Sequence, residues 1–157
     1  MPTSVELLAQ IEFSLARRLY RVAYRPGLKL TRKLIARMLS HSAKAGHREA
    51  QVTYGRRLLE HGLTTQDRYC GARYLIQAAQ QGDRDAQWWA GRIHERGVGP
   101  YPSNEAQAVT WYARAARQGH VDAIERLIQA YDEGELNLPQ SERCALEWRE
   151  RLATASQ

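Results

Sequence analysis

The chain has 157 residues, a formal net charge of +6 and two cysteines, which suits one globular domain large enough to bury a core. It lacks the run of about 18 apolar residues that a membrane-spanning helix needs, and Glu6, Gln10 and Glu12 interrupt the opening stretch where a secretion signal would be apolar. The reading is a cytoplasmic chain that starts near Met1. The charge is lopsided: residues 1–48 carry +8 and residues 49–157 carry −2, and no acid occurs between Ser14 and Arg48.

In chain order, Leu8, Ile11, Leu15, Leu19 and Val22 form an apolar stripe at helical spacing that Pro26-Gly27 closes. A second helix follows over 29–45. This leading pair is basic, through Arg17, Arg18, Arg21, Arg25, Arg32, Lys33 and Arg37, with Arg17, Arg21 and Arg25 spaced to share one helix face. Such a face is either simply solvated or a contact zone for an acidic protein, a nucleic acid or an anionic lipid surface.

From Gly46 the chain repeats itself. The phrase Gly46-His47-Arg48-Glu49-Ala50-Gln51 returns as Gly82-Asp83-Arg84-Asp85-Ala86-Gln87, and again as Gly119-His120-Val121-Asp122-Ala123-Ile124, at intervals of 36 and 37 residues. A period of that size marks an array of stacked helical units. Units near 46–81, 82–118 and 119–154 follow a leading pair over 1–45, and the array fills 46–157. Each unit opens with a helix (47–61, 83–96, 120–133) whose acid Glu49, Asp85 or Asp122 complements the helix dipole. A Gly at 62, 97 or 134 then stops it. Second helices are expected over 67–81, 104–118 and 141–154, with a turn at 97–103 set by Gly and Pro. Tyr74, Trp111 and Trp148 share one position and are assigned to the core. In the same register Gly55 and Gly91 allow helices to approach closely, whereas Ile128 takes that place in the last unit and should push its helices apart. Cys70 and Cys144 fall two units apart, too far for a bridge.

These phrases resemble the Sel-like repeat (SLR) family, relatives of the tetratricopeptide repeats. The match is nearly complete from Ala86 to Gly97 and from Ala108 through Trp111-Tyr112 and Ala115-Ala116 to Gly119. It is partial through Ala50, Tyr54-Gly55, Gly62, Tyr74, Ala78-Ala79 and Gly82, and looser through Ala123, Leu127, Tyr131, Gly134, Ala145, Trp148 and Ala153. Ala90 and His94 depart from the pattern, which has Leu and Tyr there. The resemblance implies an all-α, right-handed α–α superhelix of stacked antiparallel pairs, about four in number. It also implies a non-enzymatic adaptor or scaffold that binds a protein or peptide, an acidic one among the candidates, in its concave groove. A bacterial immunity or regulatory partner is a narrower version of the same reading.

No Gly-rich phosphate loop, Cys-x-x-Cys pair or His-Glu-x-x-His motif is present, so no catalytic residue, cofactor or metal ligand is assigned. His47 and His120 begin helices, where capping explains them, and His94 reads as a packed imidazole. With about 100° per residue, the groove-facing side of the first helices carries Glu49, Val52, Arg56 and Leu59. In the second unit it carries Asp85, Trp88, Arg92 and Glu95, and in the third Asp122, Glu125, Gln129 and Asp132. Trp89 flanks this stripe. Trp88 and Arg92 are the expected anchors, since Trp and Arg are enriched in binding hot spots. The alternative function is docking on nucleic acid or acidic lipid through the basic leading helices.

Overall fold

The computed structural model describes residues 3–22 and 29–155, with side chains over 3–19 and 33–154. Among these, eight helices follow one another: α1 (Ser4–Val22), α2 (Lys29–Lys44), α3 (Arg48–His61), α4 (Thr65–Gln80), α5 (Arg84–Arg96), α6 (Glu105–Arg117), α7 (Val121–Glu133) and α8 (Glu142–Ala155). Each packs chiefly on its neighbours in sequence, which makes a solenoid of four helix pairs.

The repeated phrase is a stop-and-start device. Gly46, Gly82 and Gly119 take positive φ values of 88°, 89° and 78°, which favours glycine over any residue with a Cβ. Their N–H groups donate to Ala43, Ala79 and Ala116, and the next N–H groups donate to Ser42, Ala78 and Ala115, so the last carbonyls of one helix are satisfied. One residue later the next helix is capped. His47 Nδ1, Asp83 Oδ1 and His120 Nδ1 accept from the N–H groups of Ala50, Ala86 and Ala123 at 3.3, 2.9 and 3.4 Å. Imidazole can accept there only while neutral.

A pH dependence follows from these caps. Burial holds the pKa of His47, His120 and His94 below the ordinary imidazole value. The unfolded chain therefore takes up protons first as pH falls. Stability is complete above about pH 6.5 and is lost as pH drops through the lowered folded values. Thermal melts between about pH 7.5 and about pH 5 should show this loss. His47→Asn with His120→Asn, which keeps a capping acceptor, should flatten the profile down to the share carried by His94.

Within a pair, small residues set the approach. A Cβ on Gly71 would lie 2.6 Å from the Gly55 carbonyl oxygen and 2.7 Å from Leu59 N, and one on Gly91 would lie 2.5 Å from the Tyr112 ring. Ile128 occupies the equivalent place in the last pair. It is half-buried and packs against the cluster of Leu127, Ala130 and Leu136. The expected disruption has a compensation in register: the position of Leu75 and Tyr112 is Arg149 here, exposed and paired to Asp132 at 2.5 Å. The bulk has moved from one helix to the other.

Between units runs a glutamine relay that the periodic reading missed. Gln51 Nε2 donates to Ala43 O and Gln87 Nε2 to Ala79 O, each reaching back to the preceding pair. The Nε2 groups of Gln81 and Gln118 in turn donate to the side-chain Oε1 atoms of Gln51 and Gln87. This makes polar residues tolerable at buried positions. The third unit has the apolar Ile124 instead.

Two core assignments need correction. Trp111 and Trp148 are half-buried at the rim, each with a guanidinium over its ring, Arg114 at 4.7 Å and Arg151 at 5.1 Å. Both indoles pack against the core clusters from outside, and the fully buried position is the next one, Leu75 and Tyr112. In α1, Ala9, Phe13 and Ala16 face the core, and Ser42 Oγ donates to Ala9 O across the pair. The expected stripe points elsewhere: Leu8, Ile11 and Leu15 are 57%, 49% and 45% exposed. No other described helix packs on that side. Leu19 is partly packed, and the Val22 side chain lies outside the described residues.

Candidate functional site: the cleft between the second and third repeats

The stack of first helices leaves a cleft of about 470 Å³ between α5 and α7. Trp88, Arg92, Glu95 and Arg96 line it from α5, Asp122, Glu125, Arg126 and Gln129 from α7, with Tyr112 of α6 beneath and Glu135 at one end.

Its floor is a closed ion network. Arg126 Nη2 donates to Glu95 Oε1 at 2.6 Å and Nη1 to Glu135 Oε2 at 2.7 Å, while the Tyr112 hydroxyl donates to the other Glu95 oxygen. Burial alone would raise the pKa of Glu95, but the hydrogen bonds from Arg126 and Tyr112 outweigh it and hold the carboxyl below its usual range. For the Tyr112 phenol, burial and the Glu95 carboxylate act together and push the pKa up. Arg126 loses by burial and gains more from its two carboxylates, so its pKa is raised. These groups are fixed in their charge states and tie α5, α6 and the α7 region together.

Above the floor, Trp88 is half-buried and held on several sides. Arg92 lies 4.8 Å from its ring centre, His120 stacks at 5.3 Å, and Trp89 meets it edge-on at 4.9 Å. Arg92 also covers Trp89 at 4.8 Å. The unit is a rigid block of rings with one guanidinium, so much of the indole is engaged inside the protein. Asp122, Glu125 and Gln129 are exposed on the α7 rim and Arg96 on the α5 rim.

Of the sequence-assigned groove residues, the structure brings Trp88, Arg92, Glu125 and Gln129 together here, with Glu95 and Asp122. It does not bring Trp89, which is 9% exposed and packs with Ala72, Leu75 and Ile93. One step of about 100° past Trp88 turns it from the cleft into the seam with α4, so it is a core residue. Asp85 sits outside the cleft, 3.3 Å from Arg84 and 3.8 Å from His120. Asp132 pairs with Arg149. On α3, Glu49 is exposed, Arg56 reaches Glu60 on its own helix at 4.0 Å, and Val52 and Leu59 pack toward the neighbouring repeat. None of these four lines the cleft.

Arg126, Tyr112 and Glu135 were missed. Arg126 had no counterpart in the other units to mark it, and its partner Glu95 lies 31 residues away. Tyr112 could have been found from Gly91, whose missing side chain needs a large neighbour.

His94 is a packed imidazole edge-on to Tyr101, its buried Nδ1 lacking a hydrogen-bond partner. Cys70 and Cys144 are free thiols. In the leading pair, Arg17, Arg18, Lys33 and Arg37 are exposed; Arg25 and the side chains of Arg21 and Arg32 lie outside the described residues.

The Sel1 repeat model matches residues 48–83 and 84–120, two of the three units read from the sequence. A Sel1 repeat protein from Oxalobacter formigenes has a similar structure, with a TM-score of 0.75 and 26% identity over 94% of this chain and 58% of its own. A protective antigen present in uropathogenic Escherichia coli strains, displaying an SLR fold, gives a TM-score of 0.68 and 27% identity over 79% of this chain and 26% of its own. The chain thus spans little more than half of one of these structures and about a quarter of the other. No curated protein matches the sequence.

Proposed function

We propose that this chain, a member of the Sel1 repeat family, is a scaffold that holds a protein or peptide segment in the cleft between α5 and α7. The Sel1 repeat fold is typically a protein-interaction scaffold and generally not a catalyst. The observation that carries the reading is the division of charge in the cleft. Arg126 is neutralised internally by Glu95 and Glu135, so the charges left for a partner are Asp122 and Glu125 toward one end and Arg92 and Arg96 toward the other. In register, Glu125 stands level with Trp88 and Gln129 with Arg92. A segment carrying a basic residue about two turns from an acidic one complements such a groove. Charges placed this way select and orient a partner more than they add raw affinity.

A cytoplasmic location fits this reading, with both cysteines as free thiols. No helix among the described residues is long and apolar enough to cross a membrane.

The test reverses the rim without touching the ring block. Arg96→Glu with Glu125→Arg should weaken binding of a partner, identified first by affinity capture, by about tenfold or more through both charges. Both side chains are exposed, so stability should change by no more than about 1 kcal/mol, the loss arising where Arg96 no longer supports the Glu95 carboxylate. Trp88→Ala with Arg92→Ala is a poorer probe, because those residues pack on Trp89 and His120 and the protein would lose stability as well. Undiminished binding after the rim reversal would remove the cleft from consideration.

A further inference from the structure

We infer that the outer face of α1, with the adjoining edge of α2, docks on an anionic lipid bilayer. Nine large apolar side chains are exposed among the described residues, and six belong to the leading pair: Val5, Leu7, Leu8, Ile11 and Leu15 on α1 and Leu34 on α2. The other three, Leu63, Val121 and Leu146, are scattered. Single exposed apolar residues are ordinary, whereas a contiguous group marks a surface that is covered by something.

Charge says what covers it. Arg17, Arg18, Lys33 and Arg37 stand exposed on the same two helices. The acids of α1 are engaged locally: Glu12 is 2.6 Å from His41 Nδ1, and Glu6 accepts from the Thr3 N–H at 2.8 Å. A second copy meeting this face would bring two segments of +8 together, which disfavours a symmetric pair. A nucleic acid would use the cations and leave the leucines in water. Among the described residues the stripe is an exposed helix face that lies outside the cleft. A bilayer surface uses both features: the apolar side sinks to the headgroup–acyl boundary while flanking cations meet anionic headgroups. This inference is independent of the cleft, which lies between the second and third repeats.

The test is flotation with vesicles of phosphatidylcholine alone and of phosphatidylcholine containing about one quarter phosphatidylserine. The full chain should float with the anionic vesicles only, and less as salt screens the charges. Leu8→Ser with Ile11→Ser and Leu15→Ser leaves the net charge unchanged and should weaken binding by about tenfold or more. Arg17→Gln with Arg18→Gln, Lys33→Gln and Arg37→Gln should weaken it by about a hundredfold. All seven side chains are exposed, and circular dichroism checks that both variants keep their helices. Wild-type-like flotation of the serine variant would overturn the inference and leave charge attraction alone, with displacement by an RNA homopolymer pointing to a nucleic acid. Absence of flotation at low ionic strength would overturn it too, as would a wild-type dimer that the serine variant splits and that ignores vesicles.

Discussion

Gly71→Ala is expected to cost about 3 kcal/mol or more, the upper end of what overpacking costs. The added methyl would sit 2.6 Å from one backbone atom of α3 and 2.7 Å from another, with Leu58 Cβ at 3.0 Å. Backbone cannot rotate away as a side chain can, so α3 and α4 must separate along a seam that buries Ala50, Ala72 and Leu75. The helix-propensity gain of alanine over glycine, about 1 kcal/mol, does not offset that. Gly55→Ala should cost less, because its nearest contacts are 3.0 Å away and one is the Leu75 side chain. Urea denaturation measures the loss. Hydrogen exchange then tells whether the helices of this pair open first, as expected where stability is a sum over units and their interfaces.

The residues in the Gly71 seam also show why the array was readable. Position 71 is Gly in the first clean unit and Ala108 and Ala145 in the next two, while its partner position runs Gly55, Gly91 and Ile128. A local rule that recurs every 36 or 37 residues leaves its mark in sequence. The helix expected over 47–61 is observed as Arg48–His61, and that over 83–96 as Arg84–Arg96, because each start is set by a Gly with positive φ, Gly46 or Gly82, and a cap one residue later. The first of these helices ends at Gly62 with a φ of −63°, without the left-handed turn expected there. The cleft was half legible for the same reason. Trp88, Arg92, Glu125 and Gln129 follow from helical phase alone. What phase cannot supply is contact between units. Arg126 meets Glu95 across 31 residues, and Trp89 turns inward because α4 offers Ala72 and Leu75 on that side. The stripe on α1 failed for a related reason. Periodicity shows that α1 is amphipathic, but Ala9, Phe13 and Ala16 form a second, smaller apolar face, and only the fit against α2 decides which face is buried.

Replacing Tyr112 by Ala is expected to cost about 3–5 kcal/mol through the cavity it leaves, and to reverse the sign of a change at Gly91. Tyr112 is 1% exposed, its ring lies over Gly91, and its hydroxyl is bonded to Glu95. With Tyr112 present, Gly91→Ala should destabilise by about 2–3 kcal/mol, since the ring is anchored at both ends and cannot yield. With Ala at position 112 the same substitution meets open space, regains helix propensity and should be neutral or stabilising by up to about 1 kcal/mol. The double-mutant cycle therefore has a coupling of about 2–4 kcal/mol, large for a pair in contact; additive effects within about 0.5 kcal/mol would refute the size exchange inferred from Ile128 and Arg149. Tyr112→Phe separates volume from hydrogen bonding. It keeps the ring and removes the donor to a charged, partly buried carboxylate, a loss of about 1.5–3 kcal/mol. Glu95 then rests on Arg126 alone, and the floor of the cleft loses the bond that ties α6 to α5. The close packing that admits an aromatic ring opposite Gly91 is thus also what holds the proposed binding surface in shape.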